Sequence, residues 1–154
     1  MQYCLALWLV SRHKILKTSP LYEKRESRIV NAISLAGVSD LRSAWKEKLG
    51  HGIVTRLIGG PPDQYPDRYD AGSPIELLPN GARQVLIHGT LDNTVPVSQS
   101  EQYVRRATES GDRCSLVKLE GTGHFELIDP ESDAWSSVLT AVETMLDVNR
   151  SRSS

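Results

Sequence analysis

The chain has 154 residues, enough to bury a core in one domain, and its 39% hydrophobic content and net charge of −1 are those of an ordinary globular protein. Ten Lys and Arg stand against four Asp and Glu in residues 1–60, and eight against fifteen in the rest. No recognition-helix motif or aromatic-interleaved basic patch accompanies the basic part, so the charges read as solvated faces and nucleic acid is excluded as an expected partner.

Cys4 and Cys114 are too few and too far apart for a zinc knuckle or a disulfide framework. The apolar run from Cys4 to Val10 is too short for a bilayer, which needs about 20 residues. No Lys or Arg precedes it, so neither a membrane span nor a secretory signal is expected, and the expected location is cytoplasmic.

Gln2 to His13 reads as a helix with apolar residues on nearly every side, which must be buried on more than one side. No capping residue introduces it. Lys14 to Arg28, with Pro20 and mixed charges, reads as a surface loop. Ile29 to Ala36 is a candidate strand without strict alternation, the pattern of a parallel strand covered on both faces. Gly37 and Ser39 lead into a helix predicted over Asp40 to Leu49, with Ser39 as cap and Gly50 as stop. Gly59 to Pro79, rich in Gly, Pro, Asp and Tyr, reads as an irregular excursion that either shapes a pocket or simply connects.

Val85 to His88 is the second strand, and it breaks into a turn carrying Asp92. Ser98 and Glu101 spell a capping box at the start of a helix ending near Gly111. Ser115 to Leu119 is the third strand, followed by a glycine-flanked loop that presents His124. Asp129 is expected to cap a helix with Pro130 in first position, and Trp135, Val138, Leu139, Val142, Met145 and Leu146 share one face of it. Residues 1–148 thus read as one partial α/β domain and 149–154 as a disordered tail.

A hydroxyl is a poor nucleophile until an imidazole takes its proton, and the imidazole works best when a carboxylate fixes its tautomer. On an α/β sheet such groups sit in loops past the carboxyl ends of neighbouring parallel strands, so they converge although distant in sequence. Asp92 and His124 fit that placement, in the order strand, Asp loop, helix, strand, His loop, helix. The bland alternatives are an Asp that satisfies its own turn and an exposed, inert imidazole. His13, His51 and His88 lack ligand-like spacing and read as structural, and Gly121-Thr-Gly123 lacks the context of a phosphate loop. No metal and no cofactor is expected.

Four stretches carry a family resemblance: His88-Gly-Thr-Leu-Asp92-Asn-Thr-Val-Pro96, Gly123-His124-Phe125, Ser73-Pro74, and Ser34 to Asp40. The chain resembles the C-terminal part of an α/β-hydrolase, in the esterase and prolyl-oligopeptidase-like branch, over residues 2–147. The resemblance implies about three parallel strands flanked by helices, Asp92 as triad acid and His124 as triad base. It also implies hydrolysis of a carboxylic ester, or of a peptide or amide, through an acyl-serine intermediate.

In that family the nucleophile lies in a Gly-x-Ser-x-Gly elbow upstream of both groups, and the sequence contains no such motif. The opening helix resembles the one that follows the elbow, which puts the nucleophile just before Met1 and the oxyanion donors with it. Inside the chain, Ser39 has the right order relative to Asp92 and His124, but Leu41 occupies the place where the tight elbow needs a small residue. Ser34 lies within a strand between Ala32 and Ala36. Two readings follow: a C-terminal fragment of a serine hydrolase, inactive until upstream residues complete a site for a small ester or peptide, or a non-catalytic binding or interaction protein derived from a hydrolase. A first strand without its central neighbour would leave an open edge, so self-association is expected.

Overall fold

A computed structural model describes residues 5–19, 22 and 29–150 of the chain. The start of the first helix at Gln2, most of the loop from Pro20 to Arg28 and the end of the tail lie outside these residues. The order is α1 (Leu5–Ser11), β1 (Asn31–Leu35), α2 (Leu41–Lys46), α3 (Leu49–Ile58), α4 (Pro66–Gly72), β2 (Arg83–Gly89), α5 (Ser98–Glu109), β3 (Arg113–Leu119) and α6 (Trp135–Arg150). Short 3₁₀ turns cover Arg12–Lys14, Pro74–Leu77 and Phe125–Ile128.

The three strands form one parallel sheet in the order β1-β2-β3, with Leu35 opposite Ile87 and Gly89 opposite Leu119. Side-chain alternation divides them between two layers. Leu86, Cys114 and Leu116 pack with Leu7 of α1 and with Tyr103 and Ala107 of α5, while Ile33, Leu35, Val85 and Ile87 pack with Ala134, Val138 and Ala141 on the side of α6. Covering both faces is what makes β1 and β2 read as apolar runs, whereas β3 at the edge of the sheet alternates and keeps Ser115 and Val117 exposed. Because the strands are parallel, the loops after Leu35, Gly89 and Leu119 all leave from one rim.

The far rim is held by a buried polar cluster. Tyr103 donates to Gln84 Oε1 at 2.6 Å, and Asn80 Nδ2 reaches Ser11 Oγ at 2.9 Å and Gln84 Oε1 at 3.2 Å. These bonds tie α1, β2 and α5 together.

Several local expectations are corrected. The cap of α2 is Asp40, whose Oδ1 accepts from the backbone N–H groups of Arg42 (2.9 Å) and Ser43 (3.0 Å), and not Ser39. The helix α2 ends at Lys46, ahead of the expected stop at Gly50, and a further helix follows: Lys48, Gly50, His51 and Gly52 lie at φ between 55° and 81°, after which Val54 and Ile58 enter the core. Gly59 to Pro79 contains α4, and with α1 it walls an apolar cavity of about 750 Å³.

Ser98 and Glu101 form no capping box. The residue ahead of α5, Val97, is already helical at φ −56°, and Glu101 instead meets Lys118 at 3.3 Å. Asp129 and Pro130 begin a turn, with Asp129 Oδ1 accepting from Glu131 N at 3.0 Å, and α6 starts only at Trp135. Asp-Pro is as much a turn opener as a helix start, and here the preceding 3₁₀ turn decides.

The expected face of α6 is half covered. Val138 and Met145 are buried, whereas Leu139, Val142 and Leu146 are 46%, 39% and 59% exposed. β1 has β2 on one side and no strand partner on the other among the described residues, and Ile29 and Val30 beside it are also exposed. An open strand edge next to an apolar helix stripe is a template for association. Size-exclusion chromatography of the chain is therefore expected to show a concentration-dependent shift toward dimers or larger species. A single sharp monomer peak with cooperative unfolding would contradict that.

Candidate active site

Asp92 lies three residues past the end of β2 and His124 five residues past the end of β3. The two loops are clamped together. Thr90 N donates to Leu119 O at 3.0 Å, and Leu91 N to Thr122 O at 2.9 Å. Gly121 N donates to Thr90 Oγ1 at 3.0 Å. Gly89 allows this approach, since a Cβ there would stand 2.1 Å from the Thr122 carbonyl oxygen.

The Asp92 side chain is fully buried, and its Oδ1 accepts from the backbone N–H groups of Thr94 and Val95, each at 2.8 Å. These two bonds fix the carboxylate in its turn, as the bland reading of Asp92 anticipates. They leave Oδ2 for His124, whose Nδ1 lies 2.6 Å away. A nitrogen facing a carboxylate carries the ring proton, so Nε2 holds the lone pair. Among the described residues Nε2 has no hydrogen-bond partner. His124 is 8% exposed, with the Phe125 ring edge-on at 5.2 Å. The imidazole is therefore buried and oriented by an anchored anion, with its Nε2 lone pair free among the described residues.

Ser39 is placed differently. It is fully buried, its Oγ donates to the Gln99 carbonyl at 2.8 Å, and its N–H and that of Asp40 are accepted by Gln99 Oε1 at 3.2 and 3.0 Å. Its own carbonyl accepts from Ile75 N at 3.1 Å. Ser39 thus ties the loop after β1 to the start of α5 and to the turn at Pro74. Ser34 is buried within β1.

His88, at the end of β2, is buried behind Asp92, with Val95 O and Ser100 Oγ as ring partners. Burial pushes its pKa below the ordinary histidine value. A signal for this was present in the sequence: a histidine inside an apolar strand must find partners for both ring nitrogens. Gln99 and Ser100 gave no such signal, because on the surface side of an ordinary helix they would be solvated. Cys114 has its pKa pushed up to about 12, chiefly by burial, so its thiol is protonated and inert at neutral pH. Among the described residues no group of three His, Cys, Asp or Glu side chains is arranged to hold a metal, and no helix is long and apolar enough to cross a membrane.

The sequence pattern of the prolyl oligopeptidase family matches residues 21–140, and the chain belongs to that family. It is 32% identical over 90 residues to a non-reducing polyketide synthase, Preu6, of Preussia isomera, and 32% identical over 91 residues to Esterase LipC of Mycobacterium tuberculosis. These matches cover 55% and 57% of the chain but only 4% and 22% of the two relatives.

Among solved structures, the apo form of esterase 2 from Thermogutta terrifontis superposes with a TM-score of 0.63 at 22% identity, over 89% of this chain and 50% of that one. An acylaminoacyl peptidase from Pyrococcus horikoshii gives 0.60 at 21% identity, over 79% and 18%. The fold is accordingly part of an α/β-hydrolase, and the chain spans about half the length of the esterase it matches.

Proposed function

We propose that this chain supplies the acid and base of a serine hydrolase site, with Asp92 as acid and His124 as base, acting on carboxylic esters and, as a second class, on amide or peptide bonds. The observation that carries the reading is the 2.6 Å contact between His124 Nδ1 and the Asp92 carboxylate. His124 Nε2 takes the proton of a serine hydroxyl as that oxygen attacks the acyl carbon. The imidazolium so formed lies against a buried carboxylate that stabilises it. The same proton then passes to the leaving oxygen or nitrogen, and a water repeats the cycle to release the acid.

Ester is placed first because one sequence relative and one structural neighbour are named esterases, and peptide second because of the family and the acylaminoacyl peptidase. The nucleophile is assigned to no serine of this chain. Ser39 already donates its hydroxyl to a main-chain carbonyl, and no Gly-x-Ser-x-Gly elbow occurs in the 154 residues. On this reading the serine comes from residues outside these 154, and the chain by itself has no appreciable esterase activity. The absence of the elbow also favours a second reading, a non-catalytic binding protein that has kept the pair.

A fluorophosphonate probe separates these. It is expected to leave the 154-residue chain unlabelled and to label the product of the uninterrupted reading frame around it at an elbow serine. Labelling of the isolated chain that disappears in Ser39→Ala would make Ser39 the nucleophile instead. A reading frame with no elbow upstream would leave the binding protein.

A further inference from the structure

The proposed proton transfers assign no step to His88, yet this ring is packed against the back of Asp92. It is fully buried, with Nδ1 2.8 Å from Ser100 Oγ, and Nε2 2.9 Å from the Val95 carbonyl and 3.3 Å from Asp92 Oδ2. Its tautomer follows from these partners. A carbonyl and an ionised carboxylate only accept, so the ring proton sits on Nε2, where both acceptors face it. Nδ1 then carries the lone pair, and the Ser100 hydroxyl donates to it.

We propose that His88 is a positioning residue of the site: as a neutral Nε2–H donor held by Ser100, it grips the Asp92 turn from behind and keeps Oδ2 aimed at His124 Nδ1. This rests on the reading of Asp92 and His124 as acid and base. The grip has two points. His88 donates to the carbonyl of Val95, the residue whose own N–H holds Asp92 Oδ1, and the same N–H edge lies against Asp92 Oδ2. His124 approaches that oxygen as well, so Oδ2 is held between two rings.

The neutrality of this donor has a purpose. A second imidazolium beside Asp92 would neutralise the carboxylate and remove the counter-charge that a protonated His124 requires. A neutral N–H orients the oxygen and leaves its charge available. The burial that disfavours the charged ring works in that direction, and so does the nearby His124; the Val95 carbonyl and Asp92 oppose it. Asp92 and His124 are the titratable groups that face the ring.

The competing role is that of a core histidine that merely ties β2 to α5 through Ser100. Two isosteric replacements separate the roles, because the Gln amide nitrogen falls near the position of Nε2 and the Asn amide near that of Nδ1. The readout is solvent exchange of the His124 Nδ1–H, followed by proton-nitrogen NMR of the 154-residue chain, with circular dichroism reporting the fold. His88→Leu is expected to speed that exchange about tenfold, the weight of one ordinary hydrogen bond. His88→Gln is expected to restore slow exchange, and His88→Asn is not.

Rescue by Asn and not by Gln would overturn the proposal in favour of the Ser100 tie, as would exchange unchanged in all three variants. A wild-type His88 carrying its proton on Nδ1 would also overturn it. Should the Leu variant fail to fold, the Gln and Asn pair still decides. The measurement requires no turnover, so a failed probe-labelling experiment leaves its result intact, and the two ideas can fail separately.

Discussion

On the proposed acid-base reading, and with the nucleophile supplied, Asp92→Asn is expected to lower kcat by about 10⁴-fold with KM little changed, as loss of a triad carboxylate does elsewhere. The geometry gives the reason. In the wild type, Oδ1 accepts from Thr94 N and Val95 N at 2.8 Å each, and any replacement must satisfy those two buried donors. The amide oxygen of Asn therefore takes the Oδ1 place, and the NH₂ group turns toward His124. A donor now faces Nδ1, which has to accept, so the ring proton moves to Nε2 and the base is lost.

The buried turn keeps its backbone bonds, so the fold should persist while the activity does not. His124→Ala is expected to be at least as damaging, and the double variant scarcely worse than His124→Ala alone, because the two groups act as a unit. Steady-state kinetics on a chromogenic ester measure all three. An Asp92→Asn variant within tenfold of the wild type would end the acid-base reading. Full loss in Asp92→Asn together with loss of cooperative unfolding would instead make Asp92 a turn residue.

The parts of this fold that were legible in the sequence are those specified by local pattern. The apolar runs of β1, β2 and β3 and the turns after them place Asp92 and His124 on one rim, as parallel strands must. The errors fall where two local signals compete and a distant contact decides. Ser39 was a fair helix cap by type, but its hydroxyl is claimed by Gln99, sixty residues on, and Asp40 takes the cap. Ser98 and Glu101 match a capping box, yet Val97 enters the helix before either can act. The apolar residues of α6 read as one face, and the structure splits that face: Val138, Ala141 and Met145 lie on the covered side, and Leu139, Val142 and Leu146 remain outside. Nothing in a period of 3.6 says which half of a broad apolar face meets the sheet.

Gly89→Ala is expected to damage both stability and the acid-base geometry. The added Cβ would lie 2.1 Å from the Thr122 oxygen and 2.6 Å from its carbonyl carbon, with the Gly123 oxygen at 2.9 Å. These are backbone atoms, held by the bond from Leu91 N to Thr122 O at 2.9 Å, so no flexible side chain can swing aside. Either β2 or the loop carrying His124 must retreat by more than 1 Å or so, and an overpacked core site of this kind costs about 1–3 kcal/mol of stability. The retreat also opens the 2.6 Å contact between His124 and Asp92. Misplacement of a catalytic group by about 1 Å is enough for a loss of about 10²-fold in rate, so activity should fall by more than stability alone explains. Gly123→Ala provides the contrast. There the added Cβ would meet the Glu126 carboxylate at 2.6 Å, and the end of an exposed, flexible side chain can move away, so a small effect is expected. Urea unfolding of the two variants, and ester kinetics on them with the nucleophile supplied, give the comparison. Equal stability and equal rates for Gly89→Ala and Gly123→Ala would mean that the close approach of the two loops is not what sets the distance between acid and base.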